Sequence, residues 1–217
     1  MAIAFDAAVG GEDNTAGTSI TLSLTVGSGS DRMLVVGVGT GVTGGIYRVS
    51  GVTYNGDAMT QRVGTIAPQA NFVHGLWYLI NPDSGTNNVV ASFSTSASLS
   101  WMGAAAYTGV AQTAPEASNS GTGAGTTEVG SVVSTSDNAW GVMWGVNNGN
   151  SISASTGCTE RADGVRGSIF DSNGPKTPAG SISMTFTGTN DNHGFLAFAL
   201  APAAAAAPAF RPRIMVY

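Results

Sequence analysis

Charge is what this sequence has least of. Of 217 residues, 10% are Asp, Glu, Lys or Arg, and Lys176 is the one lysine; globular chains carry about a quarter. The seven arginines are scattered and the formal net charge is −5. No basic stripe is present to meet nucleic-acid phosphates, so nucleic acid is not an expected partner. Cys158 is the single cysteine, which excludes an intrachain disulfide, and no neighbouring base marks it as a reactive thiol. Apolar residues come in short bursts, none near the ~20 residues that cross a bilayer, so a membrane is not expected either. Met1-Ala-Ile-Ala-Phe-Asp6 has neither the basic region nor the apolar core of a secretion signal, and the expected place of assembly is a cytoplasm.

Motifs that carry chemistry are also scarce. His74 and His193 are the only histidines, and no H-x-H or H-E-x-x-H spacing marks a metal site. No G-x-S-x-G elbow supports a hydrolase serine. Gly39-Thr-Gly-Val-Thr-Gly44 matches G-x-G-x-x-G. A dinucleotide site also needs a helix opening at the third glycine, and here Ile46–Ser50 reads as a strand, so the motif is taken as a glycine loop. A glycosidase needs two carboxylates facing across a cleft. Asp57, Asp163 and Asp171 are candidates, each in a turn-like context that favours local hydrogen bonds. Glu12, Asp13, Asp83 and Asp191 are loop acids without a calcium-loop spacing. The expectation is a protein that is not an enzyme and has no cofactor and no bound metal.

What is abundant is glycine, 31 residues, and alternation. Thr18–Val26 alternates Ile20, Leu22, Leu24 and Val26 with hydroxyls, as a strand with one wet face does. Met33–Val38 is apolar throughout, the mark of a strand buried on both sides. Asn55-Gly56 between Val52–Tyr54 and Asp57–Thr60 predicts a tight hairpin. Ala2–Phe5 is expected to pair with Phe195–Leu200. Trp140 and Trp144 share one face; Phe72, Leu76 and Tyr78 share one face of their strand, and Trp77 points the other way. These aromatics fit a core, or alternatively a platform on which a sugar stacks.

The strand phrases recur. Asp31–Gly39 finds a counterpart at Asp137–Val146, Thr60-Gln-Arg62 at Thr159-Glu-Arg161, Val89–Phe93 at Ile182–Phe186, and Gly103–Tyr107 at Gly194–Phe198. The organisation expected is one all-β domain over 1–201, a jelly-roll or concanavalin-like β-sandwich of roughly ten to fourteen strands. Its similar halves span about 18–110 and 126–201, with a connector at 111–125. Residues 202–217 form a Pro/Ala-rich C-terminal arm.

Phe5-Asp-Ala-Ala8, Gly27-Ser-Gly-Ser-Asp-Arg-Met-Leu-Val-Val36, Val52-Thr-Tyr-Asn-Gly56 and Leu76-Trp-Tyr-Leu79 together resemble a group of β-sandwich virion proteins of tailed bacteriophages. The resemblance covers most of 1–201 and carries no catalytic motif. It implies a structural role in a virion, assembled in the host cytoplasm: a head decoration or cement protein, or a tail or fibre component. Implied partners are the major capsid protein or other virion subunits, and further copies of the chain as a homo-oligomer. The alternative is a glycan-binding or adhesion module that meets a surface glycan. The arm lies outside the resemblance. It has two arginines and no acid, and ends in an apolar run that an exposed terminus rarely carries. The expected partner-binding residues are Phe210, Arg211, Arg213, Ile214, Met215, Val216 and Tyr217.

Overall fold

The computed structural model describes residues 1–41, 49–69, 72–148 and 151–205. Phe210, Arg211, Arg213, Ile214, Met215, Val216 and Tyr217 lie outside the described residues, as does Gly44 of the glycine motif.

Among the described residues every regular element is a strand: β1 (Ala4–Asp13), β2 (Gly17–Val26), β3 (Met33–Gly41), β4 (Val49–Tyr54), β5 (Asp57–Ala58), β6 (Thr60–Gln69), β7 (Phe72–Ile80), β8 (Gly85–Ala97), β9 (Ser100–Thr108), β10 (Ala117–Val133), β11 (Trp140–Asn147), β12 (Ser153–Ala154), β13 (Thr159–Asp163), β14 (Gly167–Asp171) and β15 (Ser181–Leu200). They form three antiparallel sheets: a front sheet β2-β8-β4-β5, a middle sheet β1-β9-β3-β7-β6 and a back sheet β10-β15-β11-β14-β13, with β12 paired to β15. The sandwich class read from the sequence is therefore the observed one.

Strand β3 sits at the centre of the middle sheet with every residue buried. Met33 and Val35 enter the core shared with the back sheet, while Leu34, Val36 and Val38 enter the core shared with the front sheet. Period-two alternation thus places one strand in two cores at once, which is why its sequence shows no polar face. A third core is enclosed by the back sheet and the outer parts of its own two longest strands. Strands β10 and β15 shift register between Gly125 and Thr127. Beyond that point Val132, Ile182, Met184 and Phe186 lie over Met143, Phe170, Phe195 and Ala197, and the Phe170 and Phe186 rings stack at 5.6 Å.

The two halves share one plan. Edge to edge, β1-β9-β3-β7-β6 corresponds to β10-β15-β11-β14-β13. Thr60 pairs with Tyr78 and a bulge follows at Arg62; Thr159 pairs with Asp171 and a bulge follows at Arg161. Val35 opposes Tyr78 as Val142 opposes Asp171. This register adjusts two of the sequence matches. Gly103 lies opposite Gly37 and Leu196 opposite Trp144, so Gly103 corresponds to Leu196 and not to Gly194. A two-residue slip keeps every side chain on its face, and a pattern of alternation cannot detect it. Likewise Asp31 corresponds to Asn138 rather than Asp137; both adopt positive φ, 55° and 62°, just before their strands.

Two further expectations give way. The segment 111–125 is not all connector, because its residues from Ala117 onward form the inner part of β10, paired to β15. Its Gly/Ser/Thr composition has little strand propensity, and the pairing supplies what propensity does not. Strand β1 does not pair with Phe195–Leu200: it continues to Asp13 and pairs with β9. Each sheet recruits its edge strand from its own half.

Candidate functional site

One end of the molecule gathers segments from across the chain. Val110 bridges Pro202 and Ala139 bridges Lys176, Ala203 N–H donates to the Gly109 carbonyl at 2.8 Å, and the Met1 amino group donates to the Ala203 carbonyl at 2.5 Å. Between them lies a pocket of about 360 Å³, lined by Met1, Ile3, Asn138, Trp140, Pro175, Pro202 and Ala203 among others. Trp140 is 7% exposed, and its buried indole N–H has no acceptor among the described residues. The walls combine apolar side chains with polar surface, one donor is unspent, and Ala203 lies near the last described residue.

Behind Trp140 the packing leads to an ion pair with a buried carboxylate. The Tyr107 ring meets Trp140 edge-on at 6.2 Å and Phe5 at 6.1 Å, and the Arg161 guanidinium lies 4.4 Å over the Phe5 ring, a cation–π arrangement. Arg161 Nε donates to Asp171 Oδ2 at 2.8 Å, its Nη2 donates to Asn173 Oδ1 at 2.8 Å, and Asn173 N–H donates to Asp171 Oδ1 at 2.9 Å. Asp171 has no exposure. Burial, followed by the Asp171 charge, raises the Tyr107 pKa well above the ordinary tyrosine value. Arg161, Asp171 and Asn173 thus bond one another, while the buried Tyr107 hydroxyl has no partner among the described residues.

The other candidates are occupied in the same way. Asp163 is exposed and its Oδ1 accepts the Val165 N–H at 2.7 Å. Asp57 sits on the exposed β4–β5 hairpin of the front sheet, so it does not share a cleft with Asp171. Glu12 pairs with Arg166, Asp83 accepts the Asn55 amide, Asp191 accepts the Asn192 N–H, and Asp13 accepts both Thr15 groups, which lower its pKa. No cluster of three or more His, Cys, Asp or Glu stands together among the described residues. His74 is buried, and burial lowers its pKa to about 3; it packs edge-on to Trp101 at 5.3 Å. His193 meets the Glu128 carboxylate and tethers β15 to β10 where the pair bends. Cys158 is half-buried with its pKa raised chiefly by burial, the setting of an inert thiol. Gly39 has its own packing reason: a Cβ there would lie 2.2 Å from the Trp101 indole.

No tryptophan forms a surface platform. Trp77, Trp101, Trp140 and Trp144 are exposed by 4%, 1%, 7% and 0%. A neutral groove of about 460 Å³ does open on the front sheet, lined by Thr53, Asn55, Thr86, Asn87, Asn88 and Val90. Sequence reasoning singled out neither this groove nor the pocket, because Ile3, Asn138, Pro175 and Pro202 share no local motif; only the topology joins them. No family model matches the chain, and no curated protein matches it.

Proposed function

We propose that this protein is a non-enzymatic structural component of a virion, a decoration or cement protein that binds a capsid shell and neighbouring subunits and is assembled in the host cytoplasm. The observation that carries the reading is the end of the molecule at which the chain leaves the sandwich. There a pocket walled by Met1, Ile3, Trp140, Pro175 and Pro202, with the Trp140 donor unspent, adjoins Ala203, and the sequence that follows carries the apolar and basic Phe210–Tyr217 segment. Asp171 and Arg161, by contrast, are paired with each other inside the fold. The resemblance to phage virion proteins supports the same reading through phrases that occupy structural positions, β3 and the Asn55-Gly56 hairpin among them. Mixing purified shells with the full chain and with a chain lacking 206–217 tests it. Co-sedimentation of the full chain alone is expected, and equal binding by both overturns the reading.

The second reading, a glycan-binding module, draws on the groove of Thr53, Asn55, Asn87 and Asn88, whose amides and hydroxyls match the neutral donors and acceptors of a sugar. It predicts saturable oligosaccharide binding that Asn87→Ala removes and that any tryptophan substitution leaves unaffected unless the fold is lost. A glycan array without a hit removes it.

A further inference from the structure

We infer that the pocket beside Trp140 is filled by Phe210 from the arm of a second copy of this chain, with Arg211 of that arm against Asp137. The pocket holds about 360 Å³, many times the ~30 Å³ share of one water molecule and room enough for an aromatic side chain. Its walls of Met1, Ile3, Pro175 and Pro202 suit an aromatic ring. The indole N–H of Trp140 lacks an acceptor among the described residues, and a segment containing Pro208 and Pro212 presents carbonyls while two of its residues carry no N–H. Asp137 is exposed and directly precedes the lining residue Asn138; its Oδ1 accepts the Ala179 N–H at 2.7 Å, which leaves Oδ2 for Arg211, the residue directly after Phe210.

The donor is a second copy because of how the arm is composed. Its root, Ala203, is itself part of the pocket wall. For Phe210 to return to that pocket the chain must reverse within seven residues, Ala204 to Phe210. That stretch has no Gly, Asn, Asp or Ser to make the turn, and it contains Pro208, a residue type whose predecessor disfavours the helical region. At ~3.3 Å per residue, seven residues of extended chain span up to roughly 23 Å. A neighbour's pocket is then within reach.

The test uses the full chain in a Cys158→Ser background, free of any shell. Asp137→Cys is placed on one copy and Arg211→Cys on another of different mass, and the two are mixed under mild oxidation. A disulfide joining the two kinds of copy is expected. No disulfide, or one that forms only within a chain carrying both changes, overturns the proposal. In parallel, sedimentation velocity of the cysteine-unaltered protein is expected to show self-association that weakens at least about tenfold with Phe210→Ala, the loss typical of an anchoring aromatic, and equally with Ala203→Phe, which fills the pocket from its wall. Self-association unchanged in both variants also overturns it. Because no shell is present, failure here leaves the virion reading standing, and loss of shell binding with intact self-association removes that reading alone.

Discussion

The two halves of the molecule have the same strand order and opposite ways of filling it. Where the first half has Gly37 on its central strand, the second has Trp144, and the Trp144 indole lies over Gly37, Gly103 and Gly167, where a Cβ would stand 2.2, 2.8 and 2.5 Å from it. Where the first half has Tyr78 opposite its threonine, the second has the buried Asp171 with Arg161. The first half covers its sheet with a separate front sheet; the second folds the outer parts of β10 and β15 back over their own sheet. One plan of pairing therefore tolerates unlike side chains as long as bulk on one side meets its absence on the other.

The largest effects come from breaking that complement. Gly37→Val is expected to abolish the cooperative unfolding transition, since the added atoms meet a packed indole with nowhere to move. Trp144→Ala leaves a cavity and costs about 4 kcal/mol. The double variant should be more stable than the sum of the two losses, because the valine then enters the space the indole leaves. Denaturant midpoints measure all three, and strict additivity would show that the two positions do not share one space.

Arg161→Ala strands the buried Asp171 carboxylate and should cost about 3 kcal/mol. Its counterpart Arg62 is exposed, and Arg62→Ala should stay within about 0.5 kcal/mol. Similar losses from both would mean that the halves use their arginines alike.

His74 adds a pH dependence that the second half lacks at the corresponding site, Gly167. Its folded pKa, lowered to about 3 by burial, lies below the ordinary 6.5, so the unfolded chain binds the proton first. The contribution is nil above pH 6.5 and destabilises progressively as the pH falls toward 3. At pH 5 it amounts to about 2 kcal/mol, and His74→Gln should flatten that part of the stability curve. The smallest effect belongs to the hairpin: Gly56 has φ of 90° with open space around it, and Gly56→Ala should cost about 1 kcal/mol through backbone strain alone.

The features legible in the sequence were those that depend on neighbours along the chain. Alternation revealed Thr18–Val26, the uninterrupted apolar run revealed β3, Asn55-Gly56 revealed the hairpin, and the Thr-x-Arg phrases matched the two halves at what the structure shows to be a bulge in each. Strand β10 stayed hidden because its Gly/Ser/Thr residues are held by pairing with β15, a partner distant in sequence. The pocket stayed hidden for the same reason, since Ile3, Trp140, Pro175 and Pro202 meet only after both sheets have formed. Of the residues named for binding from the sequence, all belong to 210–217 and lie outside the described part of the chain.

Gly37 and Trp144 occupy the same place in their halves and also touch each other. Equivalent positions meet in this way only beside a two-fold axis. The edges agree with it: β1 contacts β13 while β6, the counterpart of β13, contacts β10, the counterpart of β1. The interior of this single chain thus has the geometry of a self-paired dimer interface, made unequal at its centre. Two first halves so joined would leave a void where glycine faces glycine, and two second halves would drive one indole into another. Neither half can replace the other as a partner, so the linkage between them guarantees the one pairing that fits.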